Sequence, residues 1–327
     1  MESGLWIGVD GGGTHTTAIA AREDGTVLAA AVSGGINYNN IGLDKARENL
    51  SRAVNELLSV CKTKSYTSLC VGLSALDREA DATERAAFAG NVFDPERLDL
   101  QSDAYTALMG LTLGAPGLII ICGTGSIMLA LGNDGRQIVR GGWGHLLGDI
   151  GSGYAIALEG IRAAIDMSEG VGESTALSDD ALRFFDLQNL RDLIARVYSP
   201  AFSTEQLAQF ARSVLRRAEE GDAVALRIVR RNMKHVAEQA ADILRSAPEC
   251  SRVGVYGGVF THNPFVATML GEMLGSVVSG VSVSLPEYPP ELGALIHAYR
   301  RGGALTGKRL RNLKESYSAI SENKNRL

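Results

Sequence analysis

The chain has few cysteines, and they form no recognisable framework. Cys61, Cys70, Cys122 and Cys250 are scattered, with no CxxC pair and no histidine at metal-ligand spacing. This pattern argues against a disulfide scaffold and against a zinc site. It is typical of buried, reduced thiols in a reducing compartment.

Long apolar runs and an excess of basic residues are also missing. The apolar run Leu118 to Cys122 is far shorter than the ~20 residues of a membrane helix, and the chain enters a strand-like run at Leu5 without signal-peptide features. Lys and Arg number 32 against 37 Asp and Glu, a net charge of −5, which offers no basic surface for nucleic acid. We therefore expect a soluble, cytoplasmic protein with neither a membrane nor a nucleic acid as its partner.

What is present is an ordinary globular mixture of residues. Hydrophobic residues make up 45% of the chain and charged residues 21%, so a large core can form. The 327 residues exceed the commonest size of a single domain and suit two domains of about 100 to 200 residues.

A pattern of three strands joined by glycine-containing turns occurs twice. The first copy has predicted strands at 5–9, 14–21 and 26–32, joined by Asp10-Gly11-Gly12-Gly13-Thr14 and Glu23-Asp24-Gly25. The second copy has predicted strands at 118–122, 127–131 and 137–140, joined by Gly123-Thr124-Gly125-Ser126 and Asn133-Asp134-Gly135. Asp-Gly between such runs is a strong hairpin signal. The two segments are therefore interpreted as one supersecondary unit used twice.

The segments that follow the two copies also correspond, though more weakly. Predicted strands at 69–73 and 253–256 each end in a turn of small residues, Ser74-Ala75 and Gly257-Gly258. Predicted strands at 98–101 and 281–285 each lead into a helix, at 104–113 and 291–301. Pro290 fits the start of the second helix.

This repeat predicts an α/β protein of two similar domains. We place the first domain at 1–114, joined by the C-terminal helix near 291–302, and the second at 115–290 with a helical insertion at about 153–245. The polar tail at 307–327 is predicted to be loosely ordered, with a helix as the alternative.

The two glycine runs, Gly11-Gly12-Gly13-Thr14 and Gly123-Thr124-Gly125-Ser126, suit phosphate binding. Without Cβ atoms the backbone can approach a ligand, and its N–H groups can point at phosphate oxygens. A single such run could equally be a tight hairpin turn, but two at matched positions favour phosphate. Neither run fits GxxxxGK[ST] or a GxGxxG that opens a helix, so a different nucleotide fold is expected.

Asp10 ends the first predicted strand directly beside a glycine run. A carboxylate there would repel phosphate unless a cation intervened, which indicates Mg²⁺ held mostly through water. The alternative is an aspartate that caps the turn.

Four motifs occur in order between residues 5 and 303: Asp10 to Thr14, Gly123 to Ser126, Gly141 to Ser152, and Gly257-Gly258-Val259-Phe260. Together they resemble the BadF/BadG/BcrA/BcrD-type ATPase family, in particular its N-acetylglucosamine kinase branch and archaeal hexokinase relatives. The resemblance implies two ribonuclease H-like, actin-like ATPase domains with a cleft between them. It further implies an ATP- and Mg²⁺-dependent kinase that phosphorylates a hexose or amino sugar, at O6.

The resemblance also implies roles for residues. It makes the first glycine run, with His15, the phosphate-1 loop, the second run the phosphate-2 loop, and Gly257 with Gly258 the adenosine motif. Asp103 matches the catalytic aspartate, which would accept the proton of the attacking sugar hydroxyl. Its alternative role is to cap the helix that starts at Ala104, and the two roles are compatible.

The sugar would contact Asn37, Ser74, Asp103 and Asp149, as the resemblance implies, and an amide suits hydroxyl groups because it both donates and accepts. The alternative for Asp149 is to bind water on magnesium. The neighbouring Asn39 and Asn40 are candidate caps of a helix that begins at Leu43. Trp143 and His145 are either supports of the core or of their loop, or ligand contacts.

Three positions depart from the family pattern. His15 replaces the basic residue usual after the phosphate-1 threonine, Ile127 replaces an asparagine, and Ile150 replaces a glutamate. The last two changes remove polar groups close to the expected sugar, so recognition of an N-acetyl group stays open.

The same residues bear on three other functions. An ATPase that activates a reductase or dehydratase through an iron–sulfur cluster would need cysteines in paired loops, and the four cysteines lie in strand or helix patterns. A sugar-responsive repressor would need a helix-turn-helix, for which we expect no room before the first strand. A filament-forming relative cannot be judged from one sequence. A homodimer is the default expectation for such enzymes.

Overall fold

The computed structural model describes residues 4–303 and 305–324. The chain divides into two compact units. Unit 1 comprises the residues up to Ala115 together with those from Pro286 onward, and unit 2 comprises Pro116–Leu285. The second unit therefore ends before the predicted boundary at 290.

The first part of unit 1 alternates strands and helices. Its strands are β1 (Trp6–Gly11), β2 (His15–Ala21), β3 (Val27–Gly34), β4 (Ser68–Leu73) and β5 (Leu98–Ser102). Its helices are α1 (Tyr38–Ile41), α2 (Leu43–Val60), α3 (Ala82–Ala89) and α4 (Asp103–Thr112). The strands form one sheet in the order β3-β2-β1-β4-β5, antiparallel from β3 to β1 and parallel from β1 to β5.

Unit 2 repeats this sheet. Its strands are β6 (Gly117–Cys122), β7 (Ser126–Leu131), β8 (Gln137–Gly141), β9 (Arg252–Tyr256) and β10 (Ser282–Ser284), in the order β8-β7-β6-β9-β10. As in unit 1, the pairing is antiparallel over the first part of this order, from β8 to β6, and parallel over the rest, from β6 to β10. The predicted α/β repeat is confirmed.

Helices fill the long connection between β8 and β9, where an insertion was predicted. They are α5 (Gly153–Ser168), α6 (Leu177–Phe185), α7 (Leu193–Val197), α8 (Thr204–Ala208), α9 (Ala211–Glu219) and α10 (Ala223–Ser246). After β9 come α11 (Gly258–Thr261) and α12 (Pro264–Gly275). The apolar faces of these helices and the sheet of unit 2 form one core. Of the helices that the structure describes, none is long and apolar enough to cross a membrane.

The chain returns to unit 1 with α13 (Pro290–Arg301) and α14 (Gly307–Lys324). Helix α13 packs so closely on β1 that a Cβ at Gly8 would lie 2.3 Å from the Glu291 carbonyl oxygen. Its side chains Leu292, Leu295 and Tyr299 are buried in a core shared with β2. Helix α13 thus completes unit 1.

Helix α14 replaces the loosely ordered tail that the polar composition predicted. Leu313 is fully buried in the core that α13 also lines. Ser316 Oγ accepts a hydrogen bond from Val27 N at 2.8 Å, beside the edge strand β3. These anchors, few among many polar residues, explain why a helix forms where composition suggested a loose end.

Two predicted helix caps are wrong. The N-cap of α4 is Ser102, whose side chain accepts from Tyr105 N, so Asp103 is the first residue of the helix. Helix α2 has Gly42 as its N-cap, with no side-chain hydrogen bond. Asn39 and Asn40 lie instead within the short helix α1, which Asn37 caps.

Candidate active site

The carboxyl ends of three parallel strands carry the candidate site of unit 1. Strand β1 ends in Asp10 and Gly11, β4 leads into Ser74, and β5 leads into Asp103 at the start of α4. Ser74 N donates to the Gly11 carbonyl oxygen at 3.0 Å, which ties the first two ends together. Neighbouring parallel strands therefore bring residues distant in sequence to one edge of the sheet.

The phosphate-1 candidate loop connects β1 to β2. Two of its carbonyl groups accept hydrogen bonds from the segment after β3: Gly35 N donates to Thr14 O at 3.1 Å, and Ile36 N donates to Gly12 O at 3.0 Å. A Cβ at Gly11 would lie 2.4 Å from Ile36 Cδ1, so the close packing requires glycine there.

The exposed residues of this loop have backbone donors available to a ligand. Gly13, Thr14 and His15 are exposed, and the N–H groups of Gly13 and Thr14 donate to no residue that the structure describes. The Thr14 hydroxyl lies 3.2 Å from His15 Nδ1. Two free N–H groups beside a hydroxyl are the donors that a phosphate group needs.

Three carboxyl groups lie near this end of the sheet. Burial, followed by the negative charges of Glu291 and Asp103, raises the pKa of Asp10 from 3.8 to about 8. Burial also raises the pKa of Asp103, although the Ala104 N–H, 2.7 Å from Asp103 Oδ1, opposes the shift. Glu291 is buried and accepts a hydrogen bond from Tyr317 OH at 2.5 Å. Sequence reasoning missed Glu291, because no local signal shows that the returning helix brings it near β1.

These groups fit a magnesium ion held largely through water. Within residues 4–303 and 305–324, no group of three or more His, Cys, Asp or Glu side chains could hold a metal by itself. Mg²⁺ is commonly bound by one or two carboxylates together with phosphates and water. A cation would relieve the repulsion between Asp10, Asp103 and Glu291 that raises the pKa of Asp10.

Two predicted sugar contacts meet in unit 1. Asn37 Nδ2 lies 3.2 Å from Ser74 Oγ and 3.3 Å from Ser74 O, to which it donates. Asn37 Oδ1 accepts from Asn39 N at 3.1 Å, which fixes the orientation of the amide. Both donations of the amide nitrogen go to Ser74, so one lone pair of Asn37 Oδ1 remains for a ligand.

In unit 2 the phosphate-2 candidate loop connects β6 to β7. Gly123 N donates to Gly125 O at 2.9 Å, while the N–H groups of Thr124 and Gly125 donate to no residue of the described chain. The Ser126 hydroxyl donates to the Ile150 carbonyl at 3.0 Å. The uncommitted hydroxyl is therefore that of Thr124, which is exposed.

Asp149 lies directly against this loop. A Cβ at Gly125 would be 2.7 Å from Asp149 Oδ2, so a side chain there would push the carboxyl group out of its present position. Burial raises the pKa of Asp149, opposed by the N–H groups of Ser126 and Gly144. Its Oδ1 is buried without a hydrogen-bond partner among the described residues. An unpaired buried acceptor is costly and is the kind of atom that a ligand hydroxyl satisfies.

The predicted adenosine motif packs against the phosphate-2 loop. Gly257 has φ 94° and ψ 165°, a conformation that is essentially restricted to glycine. A Cβ there would lie 2.5 Å from the Cys122 carbonyl oxygen. The next residue, Gly258, is exposed and opens α11. The two glycines therefore form a flat backbone surface beside Gly123.

The remaining predicted residues of unit 2 lie in the loop between β8 and α5. Trp143 is 72% exposed and Ile150 is 43% exposed, so neither is a core residue. The exposed ring of His145 lies 4.8 Å from the Tyr154 ring, between centroids. Ile127 is half-buried near Gly142, where a Cβ would lie 3.2 Å from Ile127 Cδ1.

The cysteines are free thiols to which no role in either candidate site is assigned. All four are free thiols, and Cys70, Cys122 and Cys250 are buried. Burial raises the pKa of each of these three thiols, so they stay protonated and unreactive.

Comparison with known proteins gives consistent matches over most of the chain. The sequence model of the BadF/BadG/BcrA/BcrD ATPase family matches residues 7–298. The N-acetyl-D-glucosamine kinase of Dictyostelium discoideum is 33% identical over 237 residues, 69% of this chain and 74% of the relative. The N-acetylmuramic acid/N-acetylglucosamine kinase of Clostridium acetobutylicum is 31% identical over 226 residues, which are 68% of this chain and 74% of the relative.

A solved structure agrees with these relatives. A protein from Chromobacterium violaceum assigned as an N-acetylglucosamine kinase superposes with a TM-score of 0.73 at 26% identity. The match covers 90% of this chain and 98% of that one.

Proposed function

Because the chain belongs to the BadF/BadG/BcrA/BcrD ATPase family, we propose that it is an ATP-dependent kinase that phosphorylates a hydroxyl group of a hexose or amino sugar. The observation that carries this proposal is the position of Asp103. Its carboxyl group lies at the carboxyl end of β5, near Asp10 at the end of β1. The phosphate-1 loop begins at the next residue after Asp10.

In the proposed reaction Asp103 acts as the general base. Its carboxylate takes the proton of the sugar hydroxyl, the hydroxyl oxygen forms a bond to the γ-phosphorus of ATP, and ADP leaves with the electrons of the broken bond. Burial raises the pKa of Asp103, which makes the carboxylate a stronger proton acceptor than an exposed aspartate. A bound Mg²⁺ beside Asp10 would supply positive charge to the phosphate oxygens.

The nucleotide is assigned to the glycine-rich segments. We propose that Gly11, Gly12, Gly13, Thr14 and His15 bind phosphate, as do Gly123, Thr124, Gly125 and Ser126. The free N–H groups of Gly13, Thr14, Thr124 and Gly125 support this assignment. Gly257 and Gly258 would receive the adenosine, since their backbone leaves no side chain in the way.

The acceptor sugar is proposed from the relatives and from the polar groups of each unit. The relatives above act on N-acetylglucosamine and on N-acetylmuramic acid, by their names. Asn37, Ser74 and Asp149 would bind its hydroxyl groups, Asp149 through the unpaired Oδ1. Glucosamine and glucose remain candidates because Ile127 and Ile150 are apolar, and O6 is the proposed acceptor oxygen.

We further propose that the enzyme works in the cytoplasm as a homodimer. ATP and reduced thiols are available there, and the four cysteines are free. Closed two-fold assembly is the commonest arrangement of soluble oligomers. Analytical ultracentrifugation gives the mass of the assembly, and a monomer would contradict the second part.

The function is tested by incubating the protein with Mg-ATP and a panel of N-acetylglucosamine, N-acetylmuramic acid, glucosamine and glucose. A sugar phosphate detected by mass is the expected product, and its 6-deoxy analogue should yield none. Removal of Mg²⁺ with a chelator should stop turnover. ATP hydrolysis without phosphorylation of any sugar would overturn the kinase proposal and favour an ATPase role.

A further inference from the structure

A cavity in unit 1 lies at the end of the sheet opposite to the candidate site. Trp6, Ser68 and Leu98 line it and stand at the start of the parallel strands β1, β4 and β5. Arg301, the last residue of α13, closes another side. The cavity has a volume of about 260 Å³.

Three arginines line this cavity, and they differ in what they contact. Arg301 Nη1 lies 2.7 Å from Asp99 Oδ2, and Arg97 Nε lies 3.1 Å from Asp94 Oδ2. Arg85, on α3, forms no ion pair with any residue of the described chain, and its Nε atom is buried without a hydrogen bond.

A buried donor with no acceptor is costly, and native structures contain few of them. An oxyanion would supply the acceptor, because a guanidinium group offers a fork of N–H donors that matches carboxylate and phosphate oxygens. Trp6 adds an apolar wall, and Ser68 adds a hydroxyl group.

Size and charge narrow the class of ligand. A cavity of this volume is just below the range of about 300–1,000 Å³ that holds drug-sized molecules, so it favours a small ligand over a nucleotide. Asp99 and Glu96 also line the cavity, but Asp99 is already bound by Arg301 and Glu96 is exposed. The charge left unmatched inside is that of Arg85.

We propose that this cavity, which we call the Arg85 cavity, binds a small oxyanion such as inorganic phosphate or the phosphate group of a small metabolite. The site is separate from the candidate active site, because the two lie at opposite ends of β1, β4 and β5. The proposal does not depend on the reaction that the enzyme catalyses.

Trp6 makes the cavity directly measurable. The chain has two tryptophans, so a Trp143→Phe background leaves Trp6 as the sole one. Titration of this protein with inorganic phosphate should change the Trp6 fluorescence and saturate. In the same background, Arg85→Gln should weaken phosphate binding about tenfold or more, as expected for the loss of a charged donor.

Matched variants separate binding from damage to the fold. Arg162→Gln removes the same charge from an exposed position of unit 2 and should leave the phosphate affinity unchanged. Glu96→Gln removes a negative charge from the cavity wall and should tighten binding a few-fold, an effect opposite in sign to that of Arg85→Gln. Arg85→Lys, which keeps the charge but loses the fork, should fall between wild type and Arg85→Gln.

The order of affinities decides the proposal. A saturable Trp6 response that weakens in Arg85→Gln and strengthens in Glu96→Gln supports the site. No response to phosphate, or equal affinities in Arg85→Gln and Arg162→Gln, overturns it. If Arg85→Gln fails to fold, the comparison of Arg85→Lys with Glu96→Gln gives the same decision.

Discussion

The first turn of α4 places Asp103 where a carboxylate is both useful and costly. A helix N-terminus stabilises negative charge, and the Ala104 N–H contacts Asp103 Oδ1, yet burial still raises the pKa of the group. Because Ser102 performs the capping, the carboxylate of Asp103 is not needed to start the helix. Capping therefore does not account for Asp103, and the proposed role as general base does.

Asp103→Asn tests this interpretation. The amide keeps the size of the side chain but cannot accept the proton, so we expect turnover to fall about 10²-fold or more while the KM for the sugar stays nearly unchanged. Asp77→Asn, at an exposed position of the same unit, is the matched control and should keep full turnover. Steady-state kinetics with product detection measures both. Full turnover in Asp103→Asn would mean that another group takes the proton.

A second residue-scale prediction concerns Gly257. Gly257→Ala would place a Cβ 2.5 Å from the Cys122 carbonyl oxygen in a backbone conformation that disfavours side chains. Gly42 has nearly the same backbone angles, φ 80° and ψ 157°, but a Cβ there meets open space. Gly42→Ala should therefore cost only the backbone strain, about 1–3 kcal/mol, and Gly257→Ala about 1–3 kcal/mol more.

Chemical denaturation measures the two costs, and calorimetry measures nucleotide affinity. We expect the affinity to fall in Gly257→Ala and to persist in Gly42→Ala. Equal losses of stability would show that the neighbouring loop moves to accept the methyl group.

At the scale of elements, a polar network joins β5 to α13. Asp99 accepts hydrogen bonds from His297 Nε2 at 3.0 Å and from Arg301 Nη1 at 2.7 Å, and Gln101 Nε2 lies 2.9 Å from its other oxygen. Burial alone would raise the pKa of Asp99, but the contributions of His297 and Arg301 outweigh it and lower the pKa to about 2.

This network predicts how the stability of unit 1 depends on pH. Since the folded-state pKa lies below the ordinary 3.8, ionised Asp99 stabilises the fold above about pH 4, and the stabilisation is lost as the pH falls toward 2. Its size is about 2 kcal/mol. Asp99→Asn should lower the free energy of unfolding at pH 6, and the gap to wild type should narrow on acidification. Asp94→Asn, at an exposed ion pair, should show a small gap at every pH. Denaturation followed by Trp6 fluorescence in the Trp143→Phe background reports on this unit.

The elements also show what the sequence could and could not predict. The two sheets were predictable because glycine turns, Asp-Gly hairpins and short apolar runs are local signals, and both copies carry them. The neighbourhood of Asp10 was only partly predictable. Glu291 approaches it through the fold rather than through the chain, so no spacing in the sequence reveals it.

The predictions for the tail and for the helix caps were wrong for a different reason. Helix α14 has few apolar residues, and its stability comes from tertiary contacts such as those of Leu313 and Ser316. Asp103 was predicted as a possible cap in the place that Ser102 takes, because both residue types are good caps and the two residues are adjacent. The Arg85 cavity could not be predicted, because no local pattern in the sequence indicates a cavity.

At the scale of the whole molecule, the two units differ in how the chain builds them. Unit 2 is one continuous stretch, Pro116–Leu285, with its own core. Unit 1 is discontinuous, since α13 and α14 pack onto β1 and β2 from the other end of the sequence. The buried side chains of α13 include Leu292, Leu295 and Tyr299.

This difference predicts the behaviour of fragments. A fragment of residues 116–285 should fold cooperatively by itself, because its core is complete. A fragment of residues 1–115 should not, because the core on one face of its sheet lacks the side chains of α13. Circular dichroism with thermal unfolding compares the two, and mixing the second fragment with residues 286–327 should restore its transition. A cooperative transition in residues 1–115 alone would contradict the argument.

The return of α13 to β1 has a consequence for the living cell. A ribosome releases the chain from its amino end, so unit 2 can acquire its structure while the sheet of unit 1, although made first, still waits for α13. The apolar face that Ile19, Val27 and Trp6 present to α13 stays uncovered until α13 emerges. A premature stop codon anywhere before α13 would therefore release a half-built protein prone to aggregation, even when the loss is a small fraction of the gene.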